Sequence, residues 1–147
     1  MGFRPIQIEL SLFRGPGDLD RSRLAVPALM MGLVMANRVW LAKYPKTPAL
    51  YASPVLYRAE VNTENWSDIP TILERGWGDC EDLACWRIAE LRHQGIAALP
   101  YITWRAKEGQ IGGTIYHALC KWPDGRIEDP SRALGMRHPV VRKPVFI

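Results

Sequence analysis

The chain has 147 residues, 48% of them apolar, with six tryptophans and charges of both signs that sum to +4. This is the size and composition of one soluble globular domain with its own core, and it excludes a disordered, fibrous or disulfide-scaffold protein. Three cysteines are an odd number, and the start MGFRPIQIEL lacks the parts of a secretory signal. Free thiols and a cytoplasmic location are therefore expected.

A strand is expected over IQIELSLF, ended by Gly15-Pro16-Gly17. Asp18 or Asp20 then caps a long helix toward Tyr44, in which Pro27 is tolerable only near the first turns. Its most apolar part, Leu24 to Ala36, is shorter than the ~20 residues that cross a bilayer, and Asn37 and Arg38 close it. It reads as a buried helix, with no membrane partner. Pro45, Pro48 and Pro54 mark an irregular connection.

In SDIPTILERG a short helix is capped by Ser67 or Asp68, carries Pro70 in its first turn and ends at Gly76. A second helix begins near Asp79, runs to about His93 and stops at Gly95. Cys80, Ala84, Ile88 and Leu91 form one stripe of it, and Leu83, Trp86 and Ala89 carry apolar character to other faces, so burial on several sides is expected. Two strands, AALPYITW and IYHALCKW, flank the loop RAKEGQIGGT. Pro123-Asp124-Gly125 then fits a three-residue hairpin loop. If Trp122 faces Arg126, Leu119 faces Asp129, and His117 becomes the diagonal neighbour of Asp129 at about 7 Å. No repeat, low-complexity tract or linker divides the chain, so residues 1–147 are expected to form one domain.

A cysteine at a helix start is a candidate nucleophile, because the unpaired N–H groups and the dipole there favour a thiolate. Cys80 has that position, His117 could exchange its proton, and Asp129 could fix the imidazole tautomer. Singly, each is ordinary: a packed thiol, a strand histidine, a turn aspartate. The set points to chemistry. Zinc on Cys80, Cys85, His117 and Cys120 is opposed by geometry. Five positions along a helix turn side chains about 140° apart, and three along a strand put them on opposite faces. Cys85, Cys120, His93 and His138 are left as packing or surface positions. The basic cluster Arg132, Arg137, His138, Arg142 and Lys143 has no nucleic-acid-binding motif beside it, so a solvated surface is expected and no nucleic-acid partner.

Gly78-Asp79-Cys80-Glu81-Asp82, His117 in YHALC and Asp129 in EDPS together resemble the Cys-His-Asp core of the transglutaminase-like cysteine protease superfamily. WSDIPTILERGWGDCEDLA is similar to the segment that opens the catalytic helix of the bacterial transglutaminase-like cysteine proteinases. The likeness covers Trp66 to Ser131, under half the chain. It implies an α+β, papain-like core with the catalytic helix packed on an antiparallel sheet. It also implies a cysteine peptidase or amidase that acts on a protein or peptide through Cys80, His117, Asp129 and a thioester, with no required cofactor. Transglutaminase or protein-glutamine deamidase activity is an alternative, since the same triad serves all three; a catalytically silent interaction or assembly module is another. Beside the Cys80 backbone N–H, Trp66 or Asn65 would supply the second oxyanion donor. Glu74 stands where papain-like enzymes carry a glutamine, and an ionised glutamate cannot donate. In the resembling proteinases the acids around the nucleophile can bind calcium, which would make Asp79, Glu81 and Asp82 its ligands here; plain helix capping is the alternative.

Overall fold

A computed structural model describes residues 18–60, 64–106 and 114–147. The expected strand over IQIELSLF and most of the RAKEGQIGGT loop lie outside the described residues. Helix α1, Asp18–Lys43, is as long as the sequence suggests, but Pro27 sits inside it rather than near its first turns. The missing N–H would have met the carbonyl of Arg23, an exposed residue that water can serve instead. The helix runs on through Asn37 toward Tyr44, as expected. The Asn37 side chain is buried and accepts the Ile69 N–H at 3.0 Å, so a polar residue inside α1 anchors the chain that follows. The stretch Arg21–Lys43, 23 residues with mean hydropathy 1.6, is therefore long and apolar enough to cross a membrane by length and composition. Only one side of it is buried. Val26, Met30, Val34 and Leu41 recur at helical spacing and enter the core, whereas Leu24, Met35 and Val39 face outward.

After a 3₁₀ turn at Leu50–Ala52, strand β1 (Leu56–Tyr57) pairs in parallel with β2 (Trp77–Gly78). This small pairing inside the proline-rich connection carries no periodicity signal. Helix α2, Ile69–Arg75, follows its sequence closely: Asp68 caps it through the Thr71 N–H, Pro70 lies in the first turn, and Gly76 ends it in the left-handed conformation at φ 83°. Helix α3, Cys80–His93, starts from Asp79 as its cap, and its residues from Glu81 to Glu90 are buried apart from Arg87.

The second sheet has the order β3-β4-β5, all antiparallel, built from Leu99–Ala106, Thr114–Lys121 and Ile127–Glu128. Its hairpin register is the one the loop length dictates. Cys120 lies opposite Glu128, the Trp122 N–H meets the Arg126 carbonyl at 2.9 Å, and Gly125 turns at φ 92°. Helix α4, Pro130–Ala133, follows β5 directly with Asp129 as its cap. The core gathers α1 residues Val26 and Met30, α3 residues Leu83, Trp86 and Ile88, and Ala118 and Cys120 of β4. Trp86 is fully buried, and its truncation to alanine would cost about 3–5 kcal/mol. The architecture is mixed α and β, with α3 packed on both α1 and the sheet.

Candidate active site

The tip of α3 answers why three carboxylates crowd one thiol, because they do different things. Asp79 and Asp82 form a reciprocal capping box, each carboxylate accepting the other's backbone N–H. Asp82 then reaches beyond the helix. It accepts the Ser67 N–H at 2.6 Å and the Arg75 guanidinium at 2.6 Å, which ties the approach segment and α2 to the helix start. Burial raises its pKa, and the Ser67 N–H and Arg75 oppose that rise. Asp82 is thus spent on structure.

Glu81 has no such task. It is buried, burial and the nearby Asp79 and Glu64 charges push its carboxyl well above the usual range, and its Oε1 has no hydrogen-bond partner. Its Oε2 takes a hydrogen bond from the Cys80 thiol at 3.2 Å. Asp79 is also pushed up, to about 6, chiefly by burial. Glu64, Asp79 and Glu81 bring carboxylate oxygens within 4.8 Å of one another. Glu64 comes from the segment before Trp66, and the Tyr116 hydroxyl donates to its Oε2 at 3.1 Å. This group contains Glu64, which the sequence did not single out, and not Asp82, since spacing along the chain does not report which acid folds back.

Cys80 is the first residue of α3, at the dipole end where a thiolate is expected. The surroundings reverse that expectation. Burial first, then the Glu81 charge, raises the thiol well above its ordinary value, and only the Ala118 backbone N–H against the sulfur pulls the other way. Ala118 directly follows His117 on β4, so the sulfur meets the strand beside the imidazole; among the described residues no hydrogen bond joins the two side chains. His117 and Asp129 do meet, Nε2 to Oδ2 at 2.9 Å, with the carboxylate 3% exposed and the ring 26%. Its other oxygen, Oδ1, accepts the Arg132 N–H and caps α4. One aspartate therefore turns the chain and holds the imidazole. A carboxylate there makes Nε2 the N–H nitrogen and leaves Nδ1 as the acceptor.

Trp66 packs against the core, and Asn65 is exposed with its N–H on Glu60 Oε2 at 2.7 Å; neither side chain is bonded to Cys80. Glu74 is exposed on α2. Cys85 is buried with its thiol on the Met30 carbonyl at 3.5 Å, and Cys120 is buried in the core, so the four zinc-type residues are not gathered. Tyr57, paired with Gly78 just before the nucleophile, has its phenol pushed up to about 12 by burial and by the charges of Cys80, Asp79 and Glu81. The C-terminal basic residues Arg137, His138, Arg142 and Lys143 are exposed, while Arg132 is half-buried with its guanidinium 2.8 Å from His138 Nε2. In comparisons with known proteins, no family model, no curated protein and no solved structure matches this chain.

Proposed function

We propose that the chain is a cysteine peptidase or amidase with a papain-like core of the transglutaminase-like type, acting on a protein or peptide. The observation that carries this reading is the pairing of His117 on β4 with Asp129 at the cap of α4, with the Cys80 sulfur against the residue after His117. Nδ1 of His117 takes the thiol proton as the sulfur bonds to the amide carbon. The C–N bond then breaks, and the imidazolium proton leaves on the amine. Water attacks the thioester while Nδ1 takes its proton, the C–S bond breaks, and the sulfur recovers that proton from the imidazolium. Asp129 keeps the ring in the required tautomer throughout. The Cys80 N–H, free of helix bonding in the first turn, is a candidate oxyanion donor. Attack by an amine in place of water would make the same site a transglutaminase. Unbonded catalytic partners are common before substrate is bound, so the missing Cys80–His117 hydrogen bond does not oppose the reading.

Calcium fits the acidic cluster. Glu64, Asp79 and Glu81 offer only oxygens, and the buried Oε1 of Glu81 lacks any other partner. The ion would supply the positive charge these carboxylates lack, and further ligands would complete the six or more it takes. A second reading, a silent binding module, is favoured by one contact: the thiol donates to Glu81 at 3.2 Å, and burial raises its pKa rather than lowering it.

Intact-mass analysis after exposure to a peptidyl vinyl sulfone, with calcium present, separates the two. An enzyme is labelled at Cys80 and not at Cys85 or Cys120, and His117→Ala slows labelling about a hundredfold. An unlabelled Cys80, or labelling indifferent to His117, would leave the silent module.

A further inference from the structure

Tyr51, Tyr57 and Tyr116 all pack against the core around α3, but their hydroxyls are used differently. The Tyr51 hydroxyl donates to Glu128 and the Tyr116 hydroxyl to Glu64, whereas that of Tyr57 has no hydrogen-bond partner among the described residues. The Tyr57 backbone is fixed from both sides. Its N–H meets the Leu134 carbonyl at 2.9 Å, and β1 pairs with β2 so that Tyr57 lies opposite Gly78, two residues before Cys80. Residues paired across a ladder turn their side chains to the same face. That face looks onto the start of α3, because a Cβ built at Gly78 would meet Asp82 Cβ and Leu83 Cδ2, each at 3.1 Å. The half-buried ring therefore lies toward the helix tip that carries the thiol, on the same core as Cys80. Of the charges acting on the phenol that of Cys80 is the largest, and with burial they push it up to about 12, so it remains an O–H donor at neutral pH.

We propose that Tyr57 is the second oxyanion donor, its O–H placed with the Cys80 N–H on the acyl oxygen of the substrate; this rests on the peptidase or amidase reading of Cys80 and His117. As the sulfur bonds to the acyl carbon, the C=O π pair moves onto oxygen, and both donors hydrogen-bond the resulting anion. The pair then re-forms the C=O as the C–N bond breaks, and the leaving amine takes its proton from His117. Tyr57 donates a hydrogen bond throughout and loses no proton. The donors expected from the sequence are placed otherwise: Asn65 is exposed and Trp66 packs against the core. Glu74 is exposed on α2, and an ionised glutamate has no proton to donate.

Two small electrophiles, applied to the full chain with calcium present, separate this assignment from the reading beneath it. Iodoacetamide alkylates a thiol without forming an oxyanion, whereas p-nitrophenyl acetate acetylates it through one. The wild type should react with both at Cys80, and both reactions should slow in His117→Ala. In Tyr57→Phe, which keeps the ring and removes a hydroxyl without a partner in the fold, the ratio of acetylation to alkylation should fall about 100-fold. A merely structural role would slow both reactions together and leave the ratio alone. p-Nitrophenyl thionoacetate sharpens the test, because its developing charge sits on sulfur, a weak acceptor. The wild-type preference for the oxygen ester should shrink about tenfold or more in Tyr57→Phe. An unchanged ratio or an unchanged preference, with Cys80 still acetylated in a His117-dependent way, would overturn the donor assignment and leave the enzyme reading intact. A Cys80 that is not acetylated, or is acetylated indifferently to His117, would overturn both.

Discussion

Helix α3 carries two clusters of buried charge, and they are built on opposite rules. In the middle of the helix Arg87 binds Glu128 at 2.7 Å and Glu90 at 3.3 Å. Tyr51 and Trp122 donate to the same Glu128 at 2.6 and 3.0 Å, and the Leu50 N–H donates to Glu90 at 2.5 Å. Every carboxylate oxygen there has a donor, and the result fastens α3 to β5 and the 3₁₀ turn. At the tip, Glu64, Asp79 and Glu81 converge, and among the described residues no ion pair joins them to a cation; Arg75 goes to Asp82. The saturated cluster explains itself as structure. The unsaturated one costs the fold stability, which the proposed calcium would offset.

The saturated cluster should be the one that fails hardest when cut. Arg87→Ala leaves two buried carboxylates without their cation and should cost about 3–5 kcal/mol in urea unfolding. A loss under about 1 kcal/mol would show that the network is incidental. At the tip the corresponding addition is calcium. At a free concentration about 100-fold above its dissociation constant it should stabilise by about 2.7 kcal/mol, and Glu81→Gln should remove most of that gain. Equal gains in both proteins would place the ion elsewhere. Asp129 lies outside both clusters and is read by a pair of variants. Asp129→Asn retains the α4 cap and Asp129→Ala loses it, so they should differ by about 1 kcal/mol in stability, while both depress Cys80 turnover by up to about 10⁴-fold.

The two clusters were unequally legible in the sequence. Where a feature is local, its signal was sufficient: Asp79 as cap and Gly95 as stop of α3, the latter at φ 86°, and the β4–β5 register counted from a three-residue loop. That register alone put Asp129 beside His117. The upward shift of the Cys80 thiol was not legible, because it depends first on burial and then on how the Glu81 charge is placed against the sulfur. Asp82 and Glu81 are adjacent and alike in sequence, yet Arg75 and Ser67 claim one and leave the other bare. Helix α1 was read as a buried helix and is buried along one side: both of its faces are apolar, so periodicity gave no direction to its burial.

The smallest expected effect is the pH dependence of the tip, and its sign separates the clusters again. Burial pushes Asp79 in the folded chain up to about 6 from its ordinary 3.8, so the native state holds that proton more tightly than the unfolded chain does. Above about pH 6 the ionised carboxylate carries the whole burial penalty. As pH falls through about 6 toward the unfolded value the native state binds the proton first, and this group's contribution to stability rises. A melting temperature measured in a calcium chelator should therefore climb between about pH 7 and pH 5. Asp79→Asn, which keeps the cap and removes the charge, should lessen that climb, the rest belonging to Glu81 and Asp82, whose carboxyls are raised too. With calcium bound the carboxylate has a cation and the slope should reverse, since acid then displaces the ion. An unchanged slope in the asparagine variant would mean that the acid response belongs to another group, and that the tip is no more strained than the cluster around Arg87.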